Sequence, residues 1–253
     1  MIYDLQKASM WKRISALLFD GILLAVLICA FALLLSAIFG FDSYIDTFYG
    51  AYAKYETDYG VTFEITQEEY TALSEEARQT YNAAFDALNG DDAAMYAYSM
   101  MLNLILLITS LSILLGYLAL EFLVPILFGN GQTLGKKIFG ICLMRVDGIR
   151  INHISLFVRT LLGKFTIETM IPALLLFMIF FGTIGIVGPI ILLAILLLQI
   201  ILMIATHTNS AIHDRLANTV VVDYASQMIF DTEEDMLACK KRIAAEKAER
   251  QDY

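Results

Sequence analysis

From Thr166 to Ala205 the chain is almost unbroken apolar sequence, and that stretch constrains the fold more than any other. As one helix, about 40 residues at about 1.5 Å each would reach about 60 Å, twice the roughly 30 Å hydrocarbon core of a bilayer. A single straight helix cannot use it. Gly182, Gly185, Gly188 and Pro189 fall near its middle, and glycine and proline are the strongest interrupters of local structure. The stretch reads as a tight hairpin of two spans, 166–181 and 186–205, with a kink or close helix packing at the glycines as the alternative. Two further apolar runs, Ile14 to Phe39 and Met100 to Phe128, are each long enough to cross. Lys7, Lys12 and Arg13 precede the first in the manner of a signal peptide, but the run is too long and lacks a small-residue cleavage site. It is expected to stay as an anchor, with Trp11 at the interface. The composition agrees, since 58% of the 253 residues are apolar and 17% charged, against about half and about a quarter in soluble domains.

Lysine and arginine near span ends collect on the cytoplasmic side. The N-terminal segment carries Lys7, Lys12 and Arg13, and residues 129–165 carry Lys136, Lys137, Arg145, Arg150, Arg159 and Lys164 against Asp147 alone. Both are expected inside. Residues 40–99 hold twelve acidic residues against Lys54 and Arg78, account for the whole net charge of −9, and are expected outside. The expected fold is all-α and transmembrane: a four-helix polytopic bundle in the inner, cytoplasmic membrane, with an acidic helical extracytoplasmic insert, a small cytoplasmic β-hairpin or sheet, and both termini inside. The lipid bilayer is its first partner; the net charge argues against nucleic acid, although the total misleads because the charges are segregated along the chain, and no nucleic acid is expected.

Within the insert, Thr66 and Glu69 have capping-box spacing and Gly90 stands where a helix would end, which predicts a helix over 67–89. Its Tyr70, Leu73, Ala77 and Tyr81 share a face. The insert is either a solvated cap or an acidic vestibule that attracts cations. In the basic loop, Ile141 to Val146, Asp147-Gly148 and Ile149 to Ile151 read as a β-hairpin, with Thr219 to Asp223 available as a further strand. Ser155 to Lys164 reads as a short interfacial helix whose Arg159 and Lys164 reach lipid headgroups. The tail from Thr232 reads as an exposed charged helix.

Ionisable side chains inside spans are costly, so each is a candidate for function. Asp20, Glu121 and Glu168 fall at similar depth in the inner half. Clustered, they form a candidate ion or proton site, because desolvation and mutual repulsion raise carboxylate pKa values until cation and proton compete. The alternative is that Asp20 pairs with a basic group or caps free backbone donors and only locks the bundle. Asn103 and Gln199 read as interhelical hydrogen-bonding groups. Enzyme signals are weak. Thr133-Leu134-Gly135-Lys136-Lys137 faintly resembles a phosphate loop, but Asn130 replaces the first glycine and no hydroxyl residue follows Lys136. His153, His207 and His213 lack metal-ligand spacing and read as interfacial or loop residues, and Cys29, Cys142 and Cys239 match no disulfide or metal pattern. No catalytic residue, cofactor or metal is expected.

Three ordered motifs add to this reading: Lys12-Arg13-Ile14-Ser15-Ala16-Leu17-Leu18-Phe19-Asp20; Gly131-Gln132-Thr133-Leu134-Gly135-Lys136-Lys137 leading to Arg145-Val146-Asp147-Gly148; and His213-Asp214-Arg215-Leu216-Ala217-Asn218-Thr219. Together they resemble the RDD family of bacterial membrane proteins. The resemblance places the family's arginine and two aspartates on Arg13, Asp20 and Asp214, as organisers of the cytoplasmic end, with Arg13 and Asp214 as a pair. It implies transport of an unidentified ligand, with cation/proton exchange one suggestion. A small transporter, in which a monovalent cation or proton is the partner and a homo-oligomer completes the pathway, is the leading functional expectation. A scaffold or regulatory module that does not transport is the alternative.

Overall fold

The structure, a computed structural model, describes residues 5–251 and divides into two compact units, 29–112 and the remainder. Four helical rods are long and apolar enough to span a membrane: Met10–Phe39, Asp92–Phe128, His153–Phe180 and Val187–Ala205.

In the smaller unit, the C-terminal part of α1 (Met10–Phe39) leads through Gly40 to α2 (Phe41–Tyr59). Two short helices follow, α3 (Gln67–Ala72) and α4 (Glu75–Asn89), before α5 (Asp92–Tyr117) begins. The single helix expected over 67–89 is therefore divided. Leu73 turns extended, and Ser74 opens a new helix by accepting from the Ala77 N–H at 3.3 Å, since a serine hydroxyl competes with the backbone ladder. The Thr66–Glu69 capping box is present. Phe63, Ala84, Leu88 and Ala94 form the core here, with Tyr52 and Tyr81 stacked edge-on against Phe63.

In the larger unit, α5 continues as a π-helical stretch, Leu118–Leu123, and ends in α6 (Val124–Phe128). The loop beyond it holds α7 (Leu134–Ile138) and β1 (Ile141–Arg145). A third rod starts with α8 (His153–Phe157), passes through a second π-helical stretch, Val158–Met170, and finishes as α9 (Ile171–Phe180). The expected interfacial helix and third span are thus one continuous rod. Its first turns face the protein interior rather than headgroups, because Arg159 and Lys164 find buried carboxylate partners there. At 181–186 the backbone reverses direction, with Gly182 and Gly185 at φ +67° and +48°, a region that glycine enters without strain. Then α10 (Val187–Ala205), α11 (Ile212–Leu216), β2 (Thr219–Asp223) and α12 (Glu233–Gln251) complete the chain.

β1 and β2 pair antiparallel with Leu143 opposite Val221. Because strand side chains alternate, Ile141, Leu143 and Val221 pack on Ala16 and Leu156, while Cys142, Met144, Val220 and Val222 form a second core with Leu5 and Ile229. The hairpin arm expected after Asp147-Gly148 meets β1 through the isolated Met144–Arg150 bridge, while Ile149 bridges Phe230 in parallel. The ordered partner of β1 is β2. This sheet, pinned to the N-terminal segment by Ala8 N–H donating to Val221 O at 3.3 Å, holds the charged ends of the rods together.

Candidate functional site

Asp20 lies on the N-terminal half of α1, 3% exposed, beside the start of α7. The Gly135 N–H donates to its Oδ1 at 2.7 Å and the Thr133 hydroxyl donates to Oδ2. A carboxylate at a helix N-terminus answers free N–H groups. Glycine is needed at 135, since a Cβ would lie 2.6 Å from the Ala16 carbonyl oxygen and 2.9 Å from the Asp20 carboxyl carbon. Asp20 therefore caps backbone donors, and it also sits 3.8 Å from Lys136 Nζ.

Glu121 sits in the π-helical turn of the second rod. In a π-helix the hydrogen bond closes from i to i+5, and such a turn leaves carbonyls available to side chains. The Thr160 hydroxyl donates to the Glu121 carbonyl at 3.0 Å. Three bases surround its carboxylate: Lys164 Nζ bonds Oε1, Lys136 Nζ stands 3.5 Å from Oε2, and Arg159 Nη1 stands 3.8 Å from the same oxygen. Lys164 and Arg159 reach Glu121 together because of the second π-helical stretch. Five residues apart on an α-helix would separate them by about 140°, whereas the wider ring brings i and i+5 toward one face.

Asp214, on α11, is fully buried. Arg159 Nε and Nη2 both donate to its Oδ1, at 3.0 and 2.9 Å, and Arg13 Nη2 donates to Oδ2 at 3.3 Å. These cations hold its carboxyl well below the usual range against the opposing effect of burial. Arg13 also donates from Nη1 to the Asn209 carbonyl at 2.6 Å. Glu168 accepts from the His213 backbone N–H at 3.2 Å and lies 2.7 Å from His213 Nδ1. Burial pushes His213 below its ordinary value, so the ring is neutral and Nδ1 carries the proton toward Glu168.

The candidate carboxylates thus do not face one another bare. Lys136 stands between Asp20 and Glu121, Arg159 between Glu121 and Asp214, and His213 between Asp214 and Glu168. Asp20, Glu121, Glu168 and Asp214 are balanced by Arg13, Lys136, Arg159 and Lys164. Of these bases only Arg13 stands out in the sequence as a site residue. Lys136 belongs to the loop that resembles a phosphate loop, and Arg159 and Lys164 read as headgroup contacts. His213 reads as an interfacial histidine, yet it is a buried member of the network. Gln199 is a structural partner, accepting from the Ile212 N–H at 3.0 Å. Burial, the dominant cause, pulls Lys136 down to about 8.

Apart from Asp214, these charged groups line a cavity of about 280 Å³, whose apolar side is made by Ile14, Leu17 and Leu24 of α1 and Met203 of α10. Among the described residues no group of three or more His, Cys, Asp or Glu side chains is arranged to hold a metal ion. No curated protein and no solved structure matches the chain. The RDD family model matches residues 7–218, which takes in every charged member of the network from Arg13 to Asp214 and most of the 253 residues. The chain belongs to the RDD family of membrane proteins.

Proposed function

We propose that the protein is a small cation/proton exchanger of the cell membrane, with the charged cavity as its exchange site and the sheet and both termini on the cytoplasmic side. The observation that carries this reading is the position of Lys136, whose ammonium stands between the carboxylates of Asp20 and Glu121 on the cavity wall. It occupies the place of a bound cation while remaining tethered to the chain. When its proton leaves, the balanced network gains one negative charge, which a buried site tolerates poorly. A monovalent cation entering from the cavity restores neutrality, so one proton leaves for each cation that enters. The lowered pKa makes that proton removable near neutral pH. Four spans leave few walls for a pathway, and transporters commonly use more, so we read the working unit as a homo-oligomer.

The test is transport in inverted vesicles carrying an imposed pH gradient, read by a ΔpH-sensitive dye. Exchange predicts cation-dependent dequenching in the wild type and none in Asp20→Asn or Lys136→Met. Lys136→Arg keeps the charge but releases no proton in this range, and it is expected to be inactive as well. A silent wild type sinks the reading. The completeness of the ion pairing favours one alternative, a scaffold in which the network only locks the bundle, and that alternative predicts silence in every form.

A further inference from the structure

Arg159 carries a buried nitrogen that no hydrogen bond answers. It is 2% exposed, its Nε and Nη2 are spent on Asp214, and its Nη1 is buried with no hydrogen-bond partner. The nearest carboxylate oxygen to Nη1, Glu121 Oε2, is 3.8 Å away, beyond hydrogen-bonding reach. A buried guanidinium donor left unanswered is costly, and native interiors rarely keep one. Lys136 Nζ approaches the same Oε2 to only 3.5 Å, and its one closer bond is to the Thr133 hydroxyl at 3.1 Å. Two cationic donors with unspent protons therefore converge on one corner of the cavity. Three bases converge on the single carboxylate of Glu121 there, so its two oxygens do not answer every donor.

We propose that this corner holds an oxyanion, a carboxylate or phosphate group, that accepts from Arg159 Nη1 and Lys136 Nζ while its apolar remainder lies along α1 and α10. Oxyanions form the strongest bonds to such donors. Ile14, Leu17 and Met203 line the apolar side of the cavity. The occupant is either a soluble carboxylate or phosphate, or the headgroup of a phospholipid entering from the side. The inference concerns binding alone and stands whether or not the protein exchanges cations.

The full chain, purified in neutral detergent, is titrated with inorganic phosphate and with acetate while its melting temperature is followed. In parallel it is equilibrated with phosphatidylglycerol or with diacylglycerol, which lacks phosphate, and retained lipid is counted by native mass spectrometry. A saturable rise in melting temperature identifies a soluble oxyanion. Retention of one phosphatidylglycerol but no diacylglycerol identifies a lipid headgroup. Arg159→Lys, which lacks Nη1, is expected to abolish either signal. Because Arg159 also holds Asp214, Gly21→Leu provides a second test: Gly21 lines the cavity, takes part in no ion pair, and a Cβ there meets nothing within 4 Å, so a side chain can be added at the cavity wall without removing a charged partner. It is expected to weaken binding about tenfold or more, about 1.4 kcal/mol, while the protein stays folded. No saturable response to phosphate or acetate together with no retained phosphatidylglycerol overturns the proposal, and so does binding that Gly21→Leu leaves unchanged. A single water as the sole occupant at Nη1 overturns it too.

Discussion

Arg159 grips Asp214 through two donors on one oxygen, Nε at 3.0 Å and Nη2 at 2.9 Å from Oδ1, across 55 positions of sequence and with almost no exposure to solvent. The pair joins the third rod to α11, and through Arg13 on Oδ2 it joins α1 as well. Removing one partner leaves the other charged and buried, which costs about 3 to 5 kcal/mol. Arg159→Met and Asp214→Asn are each expected to lower thermal stability in detergent severely. Arg159→Met combined with Asp214→Leu is expected to cost less than the two single losses added together, because neither residue then strands the other's charge. Additive losses would show that the two residues act independently.

Arg13 and Asp214 are also expected to be coupled, but more weakly, since their contact is a single bond at 3.3 Å. In a double-mutant cycle of Arg13→Gln and Asp214→Asn, an interaction energy of about 0.5 to 3 kcal/mol is expected. Zero coupling would leave Arg13 as a partner of the Asn209 carbonyl alone.

Gly135→Ala tests how closely α7 docks on α1. The added methyl group would stand 2.6 Å from a backbone oxygen of α1 and 2.9 Å from the Asp20 carboxyl group, and backbone cannot move aside as a flexible side chain can. Overpacking of this kind costs about 1 to 3 kcal/mol. Displacing α7 also carries away Lys136, so loss of exchange in the vesicle assay is expected along with the loss of stability. An alanine variant as stable as the wild type would mean that α7 sits farther from α1 than these distances imply.

The spans were legible because apolar length is a property of the sequence itself: the broken run from Thr166 to Ala205 has no other use. The strand pairing was legible too, because Ile141 to Arg145 is a short apolar run before the Asp147-Gly148 turn and Thr219 to Asp223 is rich in β-branched residues. Asp20, Glu121 and Glu168 could be picked out because a carboxylate in an apolar run has no cheap explanation. Their partners could not. Arg159 and Lys164 point the same way only in a π-helix, and a reading based on 3.6 residues per turn sends them to different faces. Lys136 is brought to Asp20 by a cap that spans 115 positions, formed through the Gly135 N–H, which no local pattern announces. His213 stands beside a polar Asp214-Arg215 pair, so its burial depends on the docking of α11 on the third rod and leaves no periodic trace.

His213 makes the last prediction, through its proton. Its ring faces Glu168 at 2.7 Å and Asp214 at 3.5 Å, with the Arg159 cation close by. Burial, the largest influence, holds the folded pKa below the ordinary 6.5. Between that lowered value and about 6.5 the unfolded chain binds more protons than the folded one, so stability rises with pH across the window and is lost on acidification through it. Asp214 gives a slope of the same sign, but in a lower window, below about 3.9, where the unfolded aspartate takes up its proton. The two are therefore separable. Melting curves of the wild type and His213→Gln from pH 8 down to pH 4.5 (about 3.5 units) are expected to converge in slope above pH of about 6.5 and to diverge below it, with the wild type falling faster. Parallel curves throughout would mean that folding leaves the His213 pKa at its ordinary value, and a wild type that gains stability on acidification relative to His213→Gln would mean that Glu168 is paired with an imidazolium.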